Sequence, residues 1–579
     1  MMRARPAGDA GLLIDTDQPP AWLAAAIAEA SLPGVCDIVP GARTVLVISS
    51  PGEGLPPAEL AARIAALLVP ARAGAAKDAI EIPVVYDGPD LAEVASLTGL
   101  SVDEVIAAHA AGSYTVGWIG FSPGFGYLTG LDQRLAGVPR LPTPRQQVPA
   151  GSVAIAAGLA AVYPAASPGG WRILGHTPLR LWDADRDPAA LLSPGRGVRF
   201  TAMRADQPGS PAKINPISSQ KPSEARQSRV GTPAERRSGL AQLEVIRPGP
   251  LATVQDLGRP GLGAIGVPPS GAADAASLIA ANRLVGNRDD DAAIELTLGR
   301  AAFRFTGPAT VAVTGAPAPV TATPEHQDLP PNPPSLRPGT KVRLEGQERS
   351  AESPGHDGGT TATPKAQGQP TESADRQPRF GTAFEVPAGG QVSVGAPQAG
   401  LRTYLAVAGG IHAPAVLGSR SADLLSGLGG GPLRAGDRLA IGAAPTGEVR
   451  AGQVLPSAHV PARGSVARLR VIGGPRLDWF AADALDELCA SVYTVSPASN
   501  RTGLRLDGPP PRPASDADLP SEGLVTGALQ VPPDGRPILL LADRPTTGGY
   551  PVIAVVISAD VRIAAQLRPG DQLNFAAIT

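Results

Sequence analysis

Glycine-rich loops bearing hydroxyls, arginines and aromatic rings are where this chain's residue types and spacing could do chemistry. The run Ser167, Pro168, Gly169, Gly170 and Trp171 puts two glycines in succession, so that backbone N–H groups can converge on an anionic oxygen. Taken alone, the same run is also a β-turn that stacks Trp171 on a barrel end. The loop GFSPGFGYL at 120 to 128 offers Phe121, Phe125 and Tyr127 as an apolar wall beside backbone donors, suited to a planar ring such as a lactam or an adenine. Core packing explains those rings equally. In PRQQVPAGS, Arg145 presents a planar fork that matches carboxylate oxygens and Ser152 adds a hydroxyl, with a surface salt bridge as the competing account of Arg145.

A second polar constellation lies further along. Gln255, Asp256 and Arg259 fall in TVQDLGRPG, and Ser270 and Asp274 in PPSGAAD, each beside glycines that let the backbone approach a ligand. Arg420 in LGSRSADLLSGLGG and Asn500 with Arg501 in SPASNRTGLRL extend the set. Its densest element is Asp543, Arg544, Thr546, Thr547, Gly548, Gly549 and Tyr550, where Asp543 reads either as an acid–base group or as half of a structural ion pair.

Absences narrow the chemistry. The five lysines, Lys77, Lys213, Lys221, Lys341 and Lys365, include no P-loop GK[ST]. Methionine occurs only at 1, 2 and 203, so no lysine has the methionine flanks of a biotin carrier, and no biotin is expected on this chain. The six histidines show neither HxxxH nor HExxH spacing, which argues against a protein-built metal site, and no GxSxG elbow supports serine-triad chemistry. Net charge is −2, from 50 basic and 52 acidic residues, giving no field for nucleic acid. No run approaches the roughly 18 apolar residues of a membrane span, and the N-terminus lacks a signal-peptide core. Cys36 and Cys489 stand far apart and read as small buried hydrophobes. The expectation is a cytoplasmic protein.

The elements that must position these loops are mostly β with some α+β. Over 579 residues several cores are needed. Helical spacing at 21 to 30 and 58 to 69, with β-branched VCDIVP, TVLVIS and IEIPVVYD, predicts a small α+β lobe over 1–85. Two further helices follow, the second opened by Ser101 and Glu104 as a capping box. Short strands with Gly/Pro turns fill 86–204, 241–460 and 461–579. Helices are expected at 274 to 286 and 477 to 488, and Asn282 on the first is polar where Ala or Leu would serve, which reads as a loop-fixing side chain or a binding residue. Polar, Pro/Ser-rich stretches mark a linker at 205–240 and a disordered insertion at 321–378, with a short strand around 341 to 346.

The strings GFSPGFGYLTGLDQRL, PRQQVPAGSVAIAAG and YPAASPGGWRILGHTP resemble the B component of bacterial ATP-dependent 5-oxoprolinase, a family also called allophanate hydrolase subunit 1 and sporulation kinase inhibitor. VIRPGPLATVQDLGRPGLGAIGVPPSGAAD and ADRPTTGGYPVIAVVISAD resemble the C component of the same enzyme, the biotin-dependent carboxyltransferase or urea amidolyase-related family. The chain thus resembles a B–C fusion.

The resemblance implies cyclophilin-like β-barrels, one after the small lobe and two in the second half. It implies hydrolysis of 5-oxo-L-proline to L-glutamate with ATP and magnesium, together with a separate A component of the lactam-utilisation type, and it allows for a homo-oligomer. Arg145, Arg501, Asp543 and Arg544 would then be catalytic, with the remaining loop residues binding lactam or nucleotide. Two departures stand out: Pro545 replaces the family's usual Gln, and His176 replaces its usual Arg. Competing readings are the carboxyltransferase component of a urea-carboxylase-like biotin system, which would need a carrier and a carboxylase from elsewhere, and a histidine-kinase regulator.

Overall fold

The computed structural model describes residues 2–50, 54–67, 79–203, 241–324, 379–443, 459–515 and 517–578. The linker at 205–240 and the strand expected around 341 to 346 lie outside them.

The first residues form an antiparallel sheet in the order Arg3–Pro6, Gly11–Asp15, Thr44–Ser49, Val35–Pro40. GLLID and TVLVIS are apolar at successive positions because both faces of this sheet are covered. Leu12, Ile14, Val45 and Val47 pack under helices Pro20–Ala30 and Pro57–Ala65. Leu13, Val39 and Leu46 point the other way, onto Leu524, Val525, Leu540, Val552 and Val555. The lobe is therefore docked on the last segment of the chain by core-like packing.

A seven-stranded sheet follows, ordered Arg172–His176, Ser152–Ala156, Leu159–Val162, Gly126–Thr129, Tyr114–Ile119, Gly197–Ala202, Ile80–Val84, with only the last pair parallel. Helices Leu91–Thr98 and Val102–Ala110 pack on it. The second begins with the expected capping box: Ser101 Oγ accepts from Glu104 N, and Ser101 N donates to the Glu104 carboxylate at 2.8 Å.

Residues 241–443 build a six-stranded and a five-stranded sheet around a core that includes Leu243, Val254, Ile294, Phe303, Val313 and Leu405. Strand Val320–Thr323 pairs with Gln391–Val394, so ordered structure runs into the stretch read as a loop from 321 onward. The β-branched VTAT set explains this, with Val320 and Ala322 packed on the core. Residues 466–577 close a seven-stranded barrel, whose strand Val466–Gly473 alternates exposed and buried at its start. The helix expected over 477 to 488 is split. A 3₁₀ turn, Leu477–Trp479, ends at extended Phe480, which is buried in the barrel core, and helix Ala484–Ala490 follows. Helix Ala275–Leu284 forms as expected, and Asn282 fixes a loop: its amide donates to Asp291 O at 2.7 Å while its Oδ1 accepts from Asn287. Both thiols are half-buried rather than buried as expected, and burial pushes both up.

Candidate functional site

Strand Leu251–Gln255 runs into a long loop that ends at helix Ala275–Leu284, and this loop carries Asp256, Arg259, Ser270 and Asp274. It folds back on itself where Gly258 (φ +88°) crosses Ser270 and Gly271 (φ +89°), leaving no room for a Cβ. Against it lies a buried ionic network. Arg501 donates from Nε to Asp543 Oδ2 and from Nη2 to Asp543 Oδ1, both at 2.9 Å, from Nη1 to Glu295, and from Nη2 to Gly271 O at 2.6 Å. Asp543 also accepts from Ser270 Oγ at 2.8 Å and from Leu424 N at 3.2 Å. Burial alone would push the Glu295 carboxyl up, but Arg501 and then Arg402 outweigh it and hold it low. Tyr404, raised by burial and by Glu295, stays a neutral phenol donating to Glu295 at 2.7 Å. Desolvation works against the Arg501 cation too, yet Glu295 and Asp543 keep it firmly protonated.

Asp274 sits at the edge of this network as a helix cap. It accepts from Ser277 N at 3.1 Å, Ser277 Oγ at 2.7 Å and Gln566 Nε2 at 2.7 Å, and pairs with His459 at 2.7 Å. Burial opposes its ionisation, but His459, Ser277 and Gln566 bring its carboxyl below the ordinary value.

Three further ionic side chains of this centre are Asp256, Asp423 and Arg259. Asp256 gathers the 419–421 turn, accepting from Ser419 Oγ at 2.6 Å, Ser421 Oγ at 2.5 Å and Arg420 N at 2.6 Å, while the Arg420 guanidinium turns away to Ala413 O. Asp423 Oδ1 accepts from Leu425 N at 2.9 Å and Ser426 N at 3.0 Å, and its carboxyl is pushed up to about 6 by burial first and Asp543 next. Arg259 donates to Val416 O and Ser421 O, and burial lowers its pKa.

The two halves meet through their glycine-rich loops. A Cβ at Gly120 would overlap Thr547 Oγ1, Gly124 N donates to Ile265 O at 3.0 Å, and Gly263 N donates to Asp37 of the N-terminal lobe at 3.1 Å. Burial raises the Asp37 carboxyl and lowers Arg544 to about 10, with Asp37 as the opposing charge on Arg544. Arg544 therefore faces the lobe, with Nε 3.2 Å from Thr526 Oγ1, while its neighbour Asp543 faces Arg501. Phe121, at φ 65°, and Tyr550 are among the exposed large side chains, 42% and 45% accessible.

In the first half, Arg145 Nη2 donates to Asp90 Oδ1 at 2.6 Å, and Asp90 Oδ2 accepts from Ile173 N at 2.7 Å. Arg145 registers opposite Gly169 in the Ser167–Gly169 strand. Gly169 abuts the Tyr163 hydroxyl too closely for a side chain, and Ser167 Oγ is buried without a partner. Phe125, Tyr163 and Trp171 form one buried cluster with Tyr127 against it, and Tyr127 stacks on Trp118 at 4.5 Å. Ser152 and His176 are register partners, and His176 Nδ1 lies 2.8 Å from Asp87.

The structure thus gathers Gln255, Asp256, Arg259, Ser270, Arg420, Arg501 and Asp543 into one centre. Arg145, Ser167, Gly169, Gly170 and Trp171 form another, and Phe121 with the 544–550 loop occupies the junction. Asn282 and Asn500 stand apart, the latter capping a turn by accepting from Thr502 N at 2.8 Å. Sequence reasoning missed Asp37, Asp90, Glu295, Tyr404 and Asp423. Asp423, inside the quoted SRSADLL string, had the clearest signal. A separate cleft of about 470 Å³, bounded by Gly400, Arg463, Ser465, Arg568 and Gln572, contains none of these groups.

Residues 2–192 match the carboxyltransferase domain, subdomain C and D, and residues 265–353 and 359–577 match the carboxyltransferase domain, subdomain A and B. The 5-oxoprolinase C protein of Escherichia coli (strain K12) is 34% identical over 336 residues, 58% of this chain and 90% of that protein. The 5-oxoprolinase B protein of Escherichia coli O157:H7 is 50% identical over 128 residues, 22% of this chain and 58% of that protein. The crystal structure of TTHA0988 aligns over the whole of both chains with a TM-score of 0.76 at 31% identity.

Proposed function

The chain belongs to the carboxyltransferase-domain family, subdomains C and D first and A and B second, an order consistent with a B–C fusion, and from that premise we propose that it is the fused B–C component of an ATP-dependent 5-oxoprolinase. In this reading it works in the cytoplasm with a separate A component. The observation that carries it is the contact of Gly120 with Thr547, which joins the glycine-rich loop of one half to that of the other. Relatives of the two halves bear the names of two subunits of one enzyme.

The reaction opens an unreactive lactam. Transfer of the ATP γ-phosphoryl group to the lactam oxygen forms an O–P bond and releases ADP. Water then adds to the activated carbon, the C–N bond breaks with protonation of nitrogen, and hydrolysis of the acyl phosphate yields glutamate and phosphate. Negative charge develops on oxygen in these steps, and backbone N–H groups of the 167–171 and 546–550 loops are the preorganised donors suited to it. Arg501 serves as a positioning group, since its donors are engaged by Asp543, Glu295 and Gly271. Among the described residues no cluster of three or more His, Cys, Asp or Glu side chains is arranged to hold a metal.

The test is phosphate and glutamate release from 5-oxoproline and ATP by this chain, by a matched A component, and by the two mixed. Activity only in the mixture is expected; no activity in any mixture overturns the reading.

A further inference from the structure

The separate cleft of about 470 Å³ lies at the seam between the two units of the second half. One wall is the 398–400 segment, which leads into strand Arg402–Val407. The other comes from the 461–465 segment, which precedes the barrel's first strand, Val466–Gly473, and from the turn that enters its last strand, Gln572–Ala577. Gly464 (φ +79°) and Gly570 (φ +89°) turn the chain here in the region that favours glycine, and a Cβ at either would meet no atom within 4 Å. Open space therefore borders both turns.

Three charged side chains line the cleft: Arg463, Arg568 and Asp571. Arg568 is clasped across the seam, Nη2 donating to Pro397 O at 2.8 Å and Nε to Gly400 O, so that Nη1 is the end left uncommitted among the described residues. Asp571 Oδ2 accepts from Arg568 N at 2.8 Å, which closes the turn and leaves Oδ1 uncommitted in the same sense. Arg463 is exposed and enters no ion pair among the described residues. Burial opposes the Arg568 cation, Asp571 supports it and Arg463 repels it, so the three charges share one neighbourhood. Two guanidiniums against one carboxylate leave a positive charge in excess.

That pattern selects a ligand class. A simple anion such as sulfate offsets the excess but sets unopposed negative charge against Asp571, and a nucleobase finds no aromatic ring in the lining. An acidic α-amino acid meets all three groups, with two carboxylates for two guanidiniums and an ammonium for the aspartate. We propose that this cleft binds an acidic α-amino acid, its carboxylates against Arg463 and Arg568 and its ammonium against Asp571. The site stands apart from the centre assigned to the reaction and does not depend on the 5-oxoprolinase reading, although L-glutamate would be that reaction's product. Binding also acts on the seam. Two residues before Arg568, Gln566 Oε1 accepts from Leu401 N at 2.9 Å and Arg402 N at 2.8 Å, and Arg402 lies 3.5 Å from Glu295. A ligand that ties Arg463 to Arg568 therefore tightens the contact that carries Arg402, and it stabilises the folded chain by mass action.

The test is calorimetry and thermal unfolding of the full chain, without ATP or a partner polypeptide, in the presence of L-glutamate, L-glutamine, glutarate or sulfate. L-Glutamine lacks the side-chain carboxylate and glutarate lacks the ammonium, so each is expected to bind roughly tenfold or more weakly than L-glutamate, a comparison that needs no variant. L-Glutamate should also raise Tm in a concentration-dependent way. Arg463→Gln alters an exposed side chain, so it should weaken L-glutamate binding by a similar factor while leaving the Tm of the free chain unchanged. Asp571→Asn should abolish the preference for L-glutamate over glutarate. No binding of L-glutamate, equal binding of sulfate and L-glutamate, or L-glutamate binding indifferent to Arg463→Gln overturns the proposal, the last by placing the amino acid elsewhere on the chain. The expected binding in a chain that turns over no 5-oxoproline with its partner overturns the 5-oxoprolinase reading alone, and turnover without this binding overturns the cleft alone.

Discussion

Arg501 grips Asp543 through two parallel N–H···O bonds of 2.9 Å, with both side chains fully buried. The same guanidinium reaches Glu295, so one cation serves two carboxylates taken out of water. Removing it leaves two buried anions with fewer partners. Arg501→Met is expected to cost about 3–5 kcal/mol of stability, read as a lowered Cm in urea. A stability within 1 kcal/mol of the parent would show that the network is solvated.

Gly120 packs on Thr547 with no space for a Cβ. Gly120→Ala must push the two glycine-rich loops apart, at a cost of about 1–3 kcal/mol. Thr547→Gly in the same chain removes the overlapping atoms, so the double variant should recover part of the loss, a coupling of at least ~0.5 kcal/mol in a double-mutant cycle. Strict additivity would sink the claim that these loops form one surface.

Glu522 is 1% accessible and pairs with Arg476 at 2.7 Å, but that guanidinium is shared with Asp15 and Glu522 Oε1 has no partner. Burial pushes its carboxyl up to about 7, against the lowering effect of Arg476. Because the folded pKa lies above the unfolded one, its contribution is fully present below about 4.3 and is lost as pH rises through 7. Stability of the parent relative to Glu522→Gln should therefore fall between those values, by ~3 kcal/mol for a shift of this size. Chemical denaturation at pH 4.5, 6 and 8 checks it, and a flat difference contradicts it.

Local chemistry was the legible part of this chain. The Ser101/Glu104 capping box and Asn282 as a loop-fixing side chain are read from neighbours a few residues apart, and both are found so. The split at Phe480 was not legible, because a buried ring overrides helical spacing only once the barrel core exists. The site was legible by its glycines and arginines but not by its carboxylates. Glu295 lies in a strand that reads as ordinary β-sheet, and its partner Arg501 is 206 residues away. Asp37 is hidden likewise, since Gly263 N reaches it from the other half.

Arg145 is held by Asp90 at 2.6 Å, and Asp90 also fixes Ile173 N, beside Trp171 and the 167–171 loop. Arg145→Lys keeps the charge but loses the fork that reaches both Asp90 and Trp171 O. If the arginine orients that loop for an anion, kcat in the mixed assay should drop about tenfold or more while stability changes by less than ~1 kcal/mol, as for a partly exposed pair. Unchanged kcat with lowered stability would make the ion pair structural.

Arg544 offers the sharpest contrast with Arg501. Both are almost wholly buried, but Arg501 has two carboxylates in contact whereas Arg544 donates to neutral oxygens, Thr526 Oγ1 at 3.2 Å and Pro545 O at 3.1 Å. Burial lowers its pKa to about 10, so it stays charged at neutral pH while losing hydration. A desolvated cation with only neutral contacts is poised for an anionic group at the junction of the two halves. Arg544→Met should thus be far less destabilising than Arg501→Met, within about 1 kcal/mol of the parent, because no buried anion is left bare in direct contact. Activity of the mixture should nevertheless fall by roughly 10²-fold or more. Full activity with reduced stability would assign Arg544 to the packing of the lobe against the barrel instead.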